Sequence, residues 1–225
     1  LNVEDMHAIL EMMDDERRAS FDKEYIEKLY TKYLSSNAAY GEHKEIFENN
    51  VRGRAVLLIA PGRSSYEERE KIRSYADAND VVIISVNHAY EYVPVQYIFI
   101  SNLRRYRELD KKHYGKCIVT SNISTADAYL QTEYGDLLND NEYVGDNAGL
   151  MAVRFLMNCG VSDVVLAGFD GYSHDSEKNY ANQGLVFITK KALADAMNEG
   201  MREELTKYKE KIPLSFLTKS KHVEI

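Results

Sequence analysis

Apolar residues follow two rhythms along this chain, and the change between them comes near residue 50. Up to that point the spacing is helical. Met6, Ile9, Leu10 and Met13 form one stripe, and Tyr25, Ile26, Leu29, Tyr30, Tyr33 and Leu34 form another. Asn2 is placed to cap the first helix, with Glu4 and Asp5 in its opening turn, and Ser20 or Asp22 starts the second. Ser35-Ser36-Asn37 ends it, and a short third helix is expected around residues 42–49. From Val51 onward the apolar residues become consecutive. Residues 55–60 (AVLLIA), 81–86 (VVIISV), 97–100 (YIFI), 117–120 (CIVT) and 164–167 (VVLA) are short β-rich runs, as in strands covered on both faces. Helical patterns lie between several of them, at 66–78, 147–159 and 190–209, and 214–217 reads as a further strand. The alternation predicts an α/β fold. We expect a Rossmann-like, doubly wound and mainly parallel sheet over residues 51–225, preceded by a helical connector over residues 1–50.

Composition narrows the class. A chain of 225 residues that is 44% hydrophobic and 28% charged suits a globular domain able to bury a real core. With 28 Lys and Arg against 36 Asp and Glu the formal charge is −8, which argues against general nucleic-acid binding. No stretch approaches the roughly 18 apolar residues of a membrane span, and the start carries no signal-peptide pattern. The expected setting is therefore cytoplasmic, without membrane insertion. Cys117 and Cys159 lie in apolar runs without metal-ligand spacing and read as structural thiols of a reducing compartment. The chain opens on Leu1 rather than Met, which sets the expectation of a longer protein.

In a doubly wound sheet the ligand sits beyond the carboxyl ends of the strands, where the strand order reverses. The residues after each strand are therefore the candidates. They are Pro61-Gly62-Arg63-Ser64-Ser65, then Asn87-His88, then Ser101-Asn102 with Arg104-Arg105, then Ser121-Asn122, and finally Gly168-Phe169-Asp170-Gly171-Tyr172. Small, amide and hydroxyl side chains dominate this set, which predicts a polar pocket. The first loop is neither a P-loop nor a GxGxxG turn. Two readings of it stand. Ser64-x-x-Glu67 is a capping box that accounts for the serine and the glutamate. Alternatively, Gly62 and the amides at the following helix start cradle a phosphate.

Asp146-Asn147-Ala148-Gly149 likewise opens a helix, with Asp146 as N-cap and Gly160 as its C-terminal stop. Its functional reading makes Asn147 and the backbone at Ala148 and Gly149 contacts to a base, ribose or sugar hydroxyl. His174, beside Asp170 and Asp175 in a glycine turn, is a general base or a solvated loop side chain. Between Leu103 and Lys116 six Lys and Arg stand against two acids, a solvated helix or a steering patch for an anion. No zinc, EF-hand or hydrolase pattern is present. No structural metal is expected, with Mg²⁺ only as the companion of a phosphate ligand.

The segments LLIAPGRS, IISVN, YIFISN, VTSN, DNAGLMAVRFLMNCGV and VVLAGFDGYS together resemble the motility-accessory-factor and hydroxymethylpterin-pyrophosphokinase-like superfamily. That superfamily is related in fold to bacterial sialyltransferases. The resemblance covers about residues 55–173. It implies a nucleotide-binding domain and carries that role onto Gly62, Arg63, Ser64, Asn87, Asn102, Asn147, Gly149 and Asp170. The start, VEDMHAIL and FDKEYIEKLYTKYLSSN, resembles the segment after the catalytic barrel in bacterial proteins of the 4-hydroxy-2-oxovalerate aldolase or HMG-CoA-lyase-like type. This second resemblance implies a C-terminal region whose upstream barrel carries any lyase chemistry, often within surface-polysaccharide gene clusters.

The combined expectation is a domain that binds a nucleotide or nucleotide sugar, as a glycosyl- or phosphoryl-transferase of surface-polysaccharide synthesis. Gly62, Arg63, Ser64 and Ser65 would hold phosphate, and Asn87, Asn102 and Ser121 would complete the pocket around ribose or base. Asn147 and Gly149 would meet the other end of the ligand, with His174 and Asp170 as catalytic groups. The alternative is a non-catalytic oligomerisation or regulatory domain that supports the barrel, with the Tyr-rich helices as its interface and a homo-oligomer as its product.

Overall fold

The apolar runs become strands because both of their faces are covered. The computed structural model describes residues 43–123, 125, 127–173, 180 and 191–222. The expected connector helices before residue 43, and His174 with Asp175, lie outside the described residues. The elements in chain order are α1 (His43–Val51), β1 (Ala55–Ile59), α2 (Ser64–Glu67), α3 (Arg69–Ala78), β2 (Val82–Val86), β3 (Tyr97–Ile100), α4 (Leu103–Glu108), a 3₁₀ turn (Lys111–Lys116) and β4 (Cys117–Thr120). They continue with β5 (Leu130–Thr132), a 3₁₀ turn (Gly135–Leu137), α5 (Ala148–Asn158), β6 (Asp163–Ala167), α6 (Lys191–Lys209) and β7 (Leu214–Phe216).

Among the described residues, seven strands form one sheet in the order β5-β4-β3-β2-β1-β6-β7, and every pairing is parallel. This is the Rossmann-like α/β architecture expected. The chain builds outward from β1 to β5, then crosses back to place β6 on the other side of β1. Right-handed crossovers in opposite directions put helices on opposite faces. β1 is therefore central and its boundary with β6 is the switch point. In register, Leu57 lies between Ile83 of β2 and Val165 of β6. β5 had no counterpart in the pattern reading. Its LQT sequence is too short and too polar to stand out, and it forms because it pairs along β4.

Alternate residues of β1 serve two cores. Val56 and Leu58 pack with Phe47 and Val51 of α1, Leu150, Met151 and Phe155 of α5, and Met197 and Leu205 of α6. Leu57 and Ile59 face the other way, onto Ile83, Ile98, Ile100, Val119 and Ile72 of α3. All four β1 side chains are fully buried, each worth about 1.5–3 kcal/mol. Phe47 and Val51 belong to this core, so the last helix of the expected connector packs as part of the α/β body.

Two helix starts differ from the sequence reading. Asn147, not Asp146, is the N-cap of α5, because its Oδ1 accepts the Leu150 N–H at 3.0 Å. Ser64 is the first residue of α2 rather than its cap, and Arg63 holds the cap position with helical φ and ψ and no side-chain bond. The capping box is not formed, since the Ser64 hydroxyl is drawn to a different part of the chain. The expected stop at Gly160 does form, at φ 75°, with its carbonyl accepting the Gly53 N–H at 2.8 Å.

Candidate functional site

At the switch point the chain ends of β1 and β6 stay joined after the strands finish. The Ala60 N–H donates to Ala167 O at 2.8 Å, and the Gly62 N–H donates to Gly168 O at 3.0 Å. This approach leaves no room for side chains. A Cβ on Gly62 would stand 2.2 Å from Gly168 O, and a Cβ on Gly168, at φ +73°, would stand 2.0 Å from Ala60 O. Both glycines are required for two backbones to touch.

Asp170 then turns back onto the first loop. Its Oδ2 accepts the Ser64 N–H at 2.7 Å, and its Oδ1 accepts the Ser64 hydroxyl. The same hydroxyl is hydrogen-bonded to Thr218 Oγ1 at 2.8 Å, and Thr218 Oγ1 accepts the Gly168 N–H at 2.9 Å. The Tyr90 hydroxyl is bonded to Ala60 O at 2.9 Å and to Ser65 Oγ at 3.1 Å, while the Tyr92 hydroxyl donates to Ser65 O at 2.5 Å. The Ser65 N–H closes on Gly62 O at 2.9 Å. The amides of Gly62, Ser64 and Ser65 are thus spent inside the fold, and the anion at the start of α2 is the protein's own carboxylate. Burial holds the Asp170 carboxyl above its usual range, with Glu67 and Glu68 adding to the rise, and the two Ser64 bonds pull it partly back.

A cleft open to solvent lies beside this junction. It is lined by residues 60–62, 86–87, 147–149 and 168–172, with Tyr180 and Met201. Asn87, at the end of β2, enters it in the left-handed region at φ 59°, anchored by its N–H on Phe99 O at 2.9 Å. Its Oδ1 is buried without a hydrogen-bond partner among the described residues. An unpaired buried acceptor costs about 1–3 kcal/mol, which a donor on a ligand would recover. Opposite lies the start of α5. Asn147 Nδ2 donates to the Tyr172 hydroxyl at 2.6 Å, and the Ala148 and Gly149 N–H groups have no acceptor among the described residues. Phe169 packs against Gly149 so closely that a Cβ there would stand 2.9 Å from its ring. An eleven-residue helix directs its positive end at this spot.

The cleft brings together Gly62, Asn87, Asn147, Gly149 and Asp170 from the candidate set. Ser64 and Ser65 lie just beneath it, buried and bonded as described. Arg63 points outward, exposed, and pairs with Glu67 at 2.6 Å. Asn102 and Ser121 stand elsewhere, at the ends of β3 and β4, which the strand order separates from the switch point. Asn102 caps α4 by accepting the N–H groups of Arg104 and Arg105 at 2.9 and 3.2 Å. Ser121 Oγ accepts the Tyr134 N–H at 3.0 Å. The basic stretch that follows Asn102 spends charge locally, with Arg104 and Arg105 both pairing with Glu108.

Sequence reasoning passed over Thr218 and Asn198. Thr218 follows β7 as the other candidates follow their strands, so reading the end of that strand too would have found it.

Among the described residues no group of three or more His, Cys, Asp or Glu converges to hold a metal, and no helix is long and apolar enough to cross a membrane. Both cysteines are buried free thiols, and burial pushes each up to about 12. No protein-family model and no curated protein matches this chain.

Proposed function

We propose that this chain binds a nucleotide or nucleotide sugar in the cleft between the ends of β1 and β6. One observation carries the reading. Among the described residues, a buried acceptor without a partner (Asn87 Oδ1) and helix-start amides without acceptors (Ala148 and Gly149) line one cleft at the switch point. A ligand that presents an anionic group to the amides and a hydrogen-bond donor to Asn87 satisfies both, and a nucleotide phosphate with its ribose, base or sugar does so. The phosphate belongs at α5 rather than at α2, because Asp170 already occupies the start of α2 and repels a second anion there.

Asp170 is the described group suited to catalysis. Ser64 occupies two of its roughly four acceptor positions and fixes its orientation, which leaves capacity for a ligand hydroxyl. In sugar transfer, an acceptor hydroxyl would lose its proton to Asp170 while its oxygen bonds to the anomeric carbon. The bond from that carbon to the phosphate oxygen breaks, and the leaving charge is held by the α5 amides. On the two resemblances in its sequence, the domain is the transferase part of a longer bacterial protein with an upstream aldolase- or lyase-like barrel, serving surface-polysaccharide synthesis.

The test is a thermal-shift panel of CMP, CDP, UDP, GDP, ATP and their sugar conjugates, with and without Mg²⁺, followed by calorimetry on Asn87→Gly. Glycine accepts φ 59° without strain, so this variant removes the side-chain amide while leaving the backbone unstrained. We expect a folded protein whose affinity falls about tenfold. A panel without any shift, or wild-type affinity in Asn87→Gly, refutes the reading.

A further inference from the structure

His222 is fully buried, and neither ring nitrogen has a hydrogen-bond partner among the described residues. Burial, with Arg202 and Lys221 nearby, lowers its pKa to about 4, so the ring is neutral at physiological pH. A neutral imidazole carries one N–H donor and one bare acceptor. Each is costly to bury unpaired, and an apolar side chain of similar volume would avoid that cost. The ring sits in a segment, residues 218–222, that is tied to the cleft loop at successive positions. Thr218 Oγ1 takes the Gly168 N–H at 2.9 Å, and Ser220 Oγ donates to Phe169 O at 2.5 Å. Lys221 follows with its N–H on Asp170 O at 3.2 Å and its Nζ on Tyr172 O at 2.6 Å. Tyr172 is further pinned by Asn198, which accepts its N–H at 2.7 Å and donates to its carbonyl at 2.9 Å.

Only Gly171 in this loop escapes the ties. It lines the cleft at φ +89°, and neither its N–H nor its carbonyl has a partner among the described residues. His222 Nε2 lies 3.1 Å from the position a Gly171 Cβ would occupy. Unpaired groups thus lie on both sides of one close approach, and Gly171 is of the one residue type whose peptide planes turn freely. We infer that His222 is a positioning residue of the cleft, hydrogen-bonding to the Gly171 backbone when the loop turns to meet a ligand. The inference rests on the proposed nucleotide reading for its ligand. A bond made only in the bound arrangement adds its free energy to affinity, because the ligand shifts the loop toward the state that contains it.

The experiment compares wild type, His222→Leu and His222→Gln by thermal melting and by calorimetry with the nucleotide that shifts wild type most. His222→Leu should melt at or above wild type and bind about fivefold more weakly. His222→Gln, which keeps a donor and an acceptor, should recover part of the loss. A purely space-filling histidine predicts wild-type affinity in His222→Leu, and that result overturns the inference. If His222→Leu does not fold, unchanged affinity in both His222→Gln and His222→Ala overturns it instead. If no nucleotide shifts wild type, the proposed function falls and this inference falls with it, whereas wild-type affinity in His222→Leu overturns this inference alone.

Discussion

Replacing Ser64 with alanine separates two accounts of the loop after β1. As a capping residue its hydroxyl would be worth about 1 kcal/mol. The structure instead gives that hydroxyl two buried partners, the Asp170 carboxylate and Thr218 Oγ1, in a side chain only 3% exposed. A bond to a charged group contributes about 1.5–3 kcal/mol and a neutral one about 0.5–1.5 kcal/mol. Ser64→Ala should therefore cost about 2–4 kcal/mol by urea denaturation at pH 7.

A pH dependence follows from Asp170. Its folded-state pKa lies above the ordinary 3.8, so the folded chain binds the proton more tightly than the unfolded chain. Stability then falls as pH rises from about that value through the folded pKa, and is level above it. The two Ser64 bonds lower the folded pKa, one from the hydroxyl and one from the backbone, and alanine removes only the first. The variant's folded pKa rises further, so its penalty should be larger at pH 7 than at pH 4. A loss of 1 kcal/mol or less that does not change with pH would show that Ser64 does no more than cap, and would refute the tether.

Asp170→Asn should keep the fold and melt at or above wild type at pH 7, since it removes a buried charge, while weakening nucleotide binding and abolishing any transfer. A large loss of stability measured by melting would contradict this. Gly62→Ala should destabilise by several kcal/mol in urea, because its Cβ meets the Gly168 carbonyl at 2.2 Å and backbone must move. Gly115→Ala, where an added Cβ meets nothing within 4 Å, is the control and should stay within about 1 kcal/mol of wild type.

The strand set was legible because parallel strands buried on both faces need unbroken apolar runs. Residues 55–60 and 164–167 carry that pattern whatever surrounds them. β5 was not legible, because three residues of mixed polarity become a strand only when β4 offers an edge. The candidate residues after each strand were read as one pocket, but side-chain chemistry does not tell which strand ends are neighbours. Asn87 and Asn102 look alike in sequence. One ends β2 and lines the cleft with a bare Oδ1, while the other ends β3 and spends its Oδ1 on the α4 amides.

By itself the sequence determined the α/β class, the first apolar run as a strand and the glycine after it, since these follow from local hydrophobicity and backbone freedom. Tertiary structure alone decided which groups remain available to a ligand. Hydrogen bonds are satisfied by whatever the fold brings near, not by what is near in the chain. Asp170 reaches Ser64 across 106 residues and removes the first loop's amides from use. The crossover to β6 brings the α5 amides and Asn87 to the same cleft with their own bonds unmade.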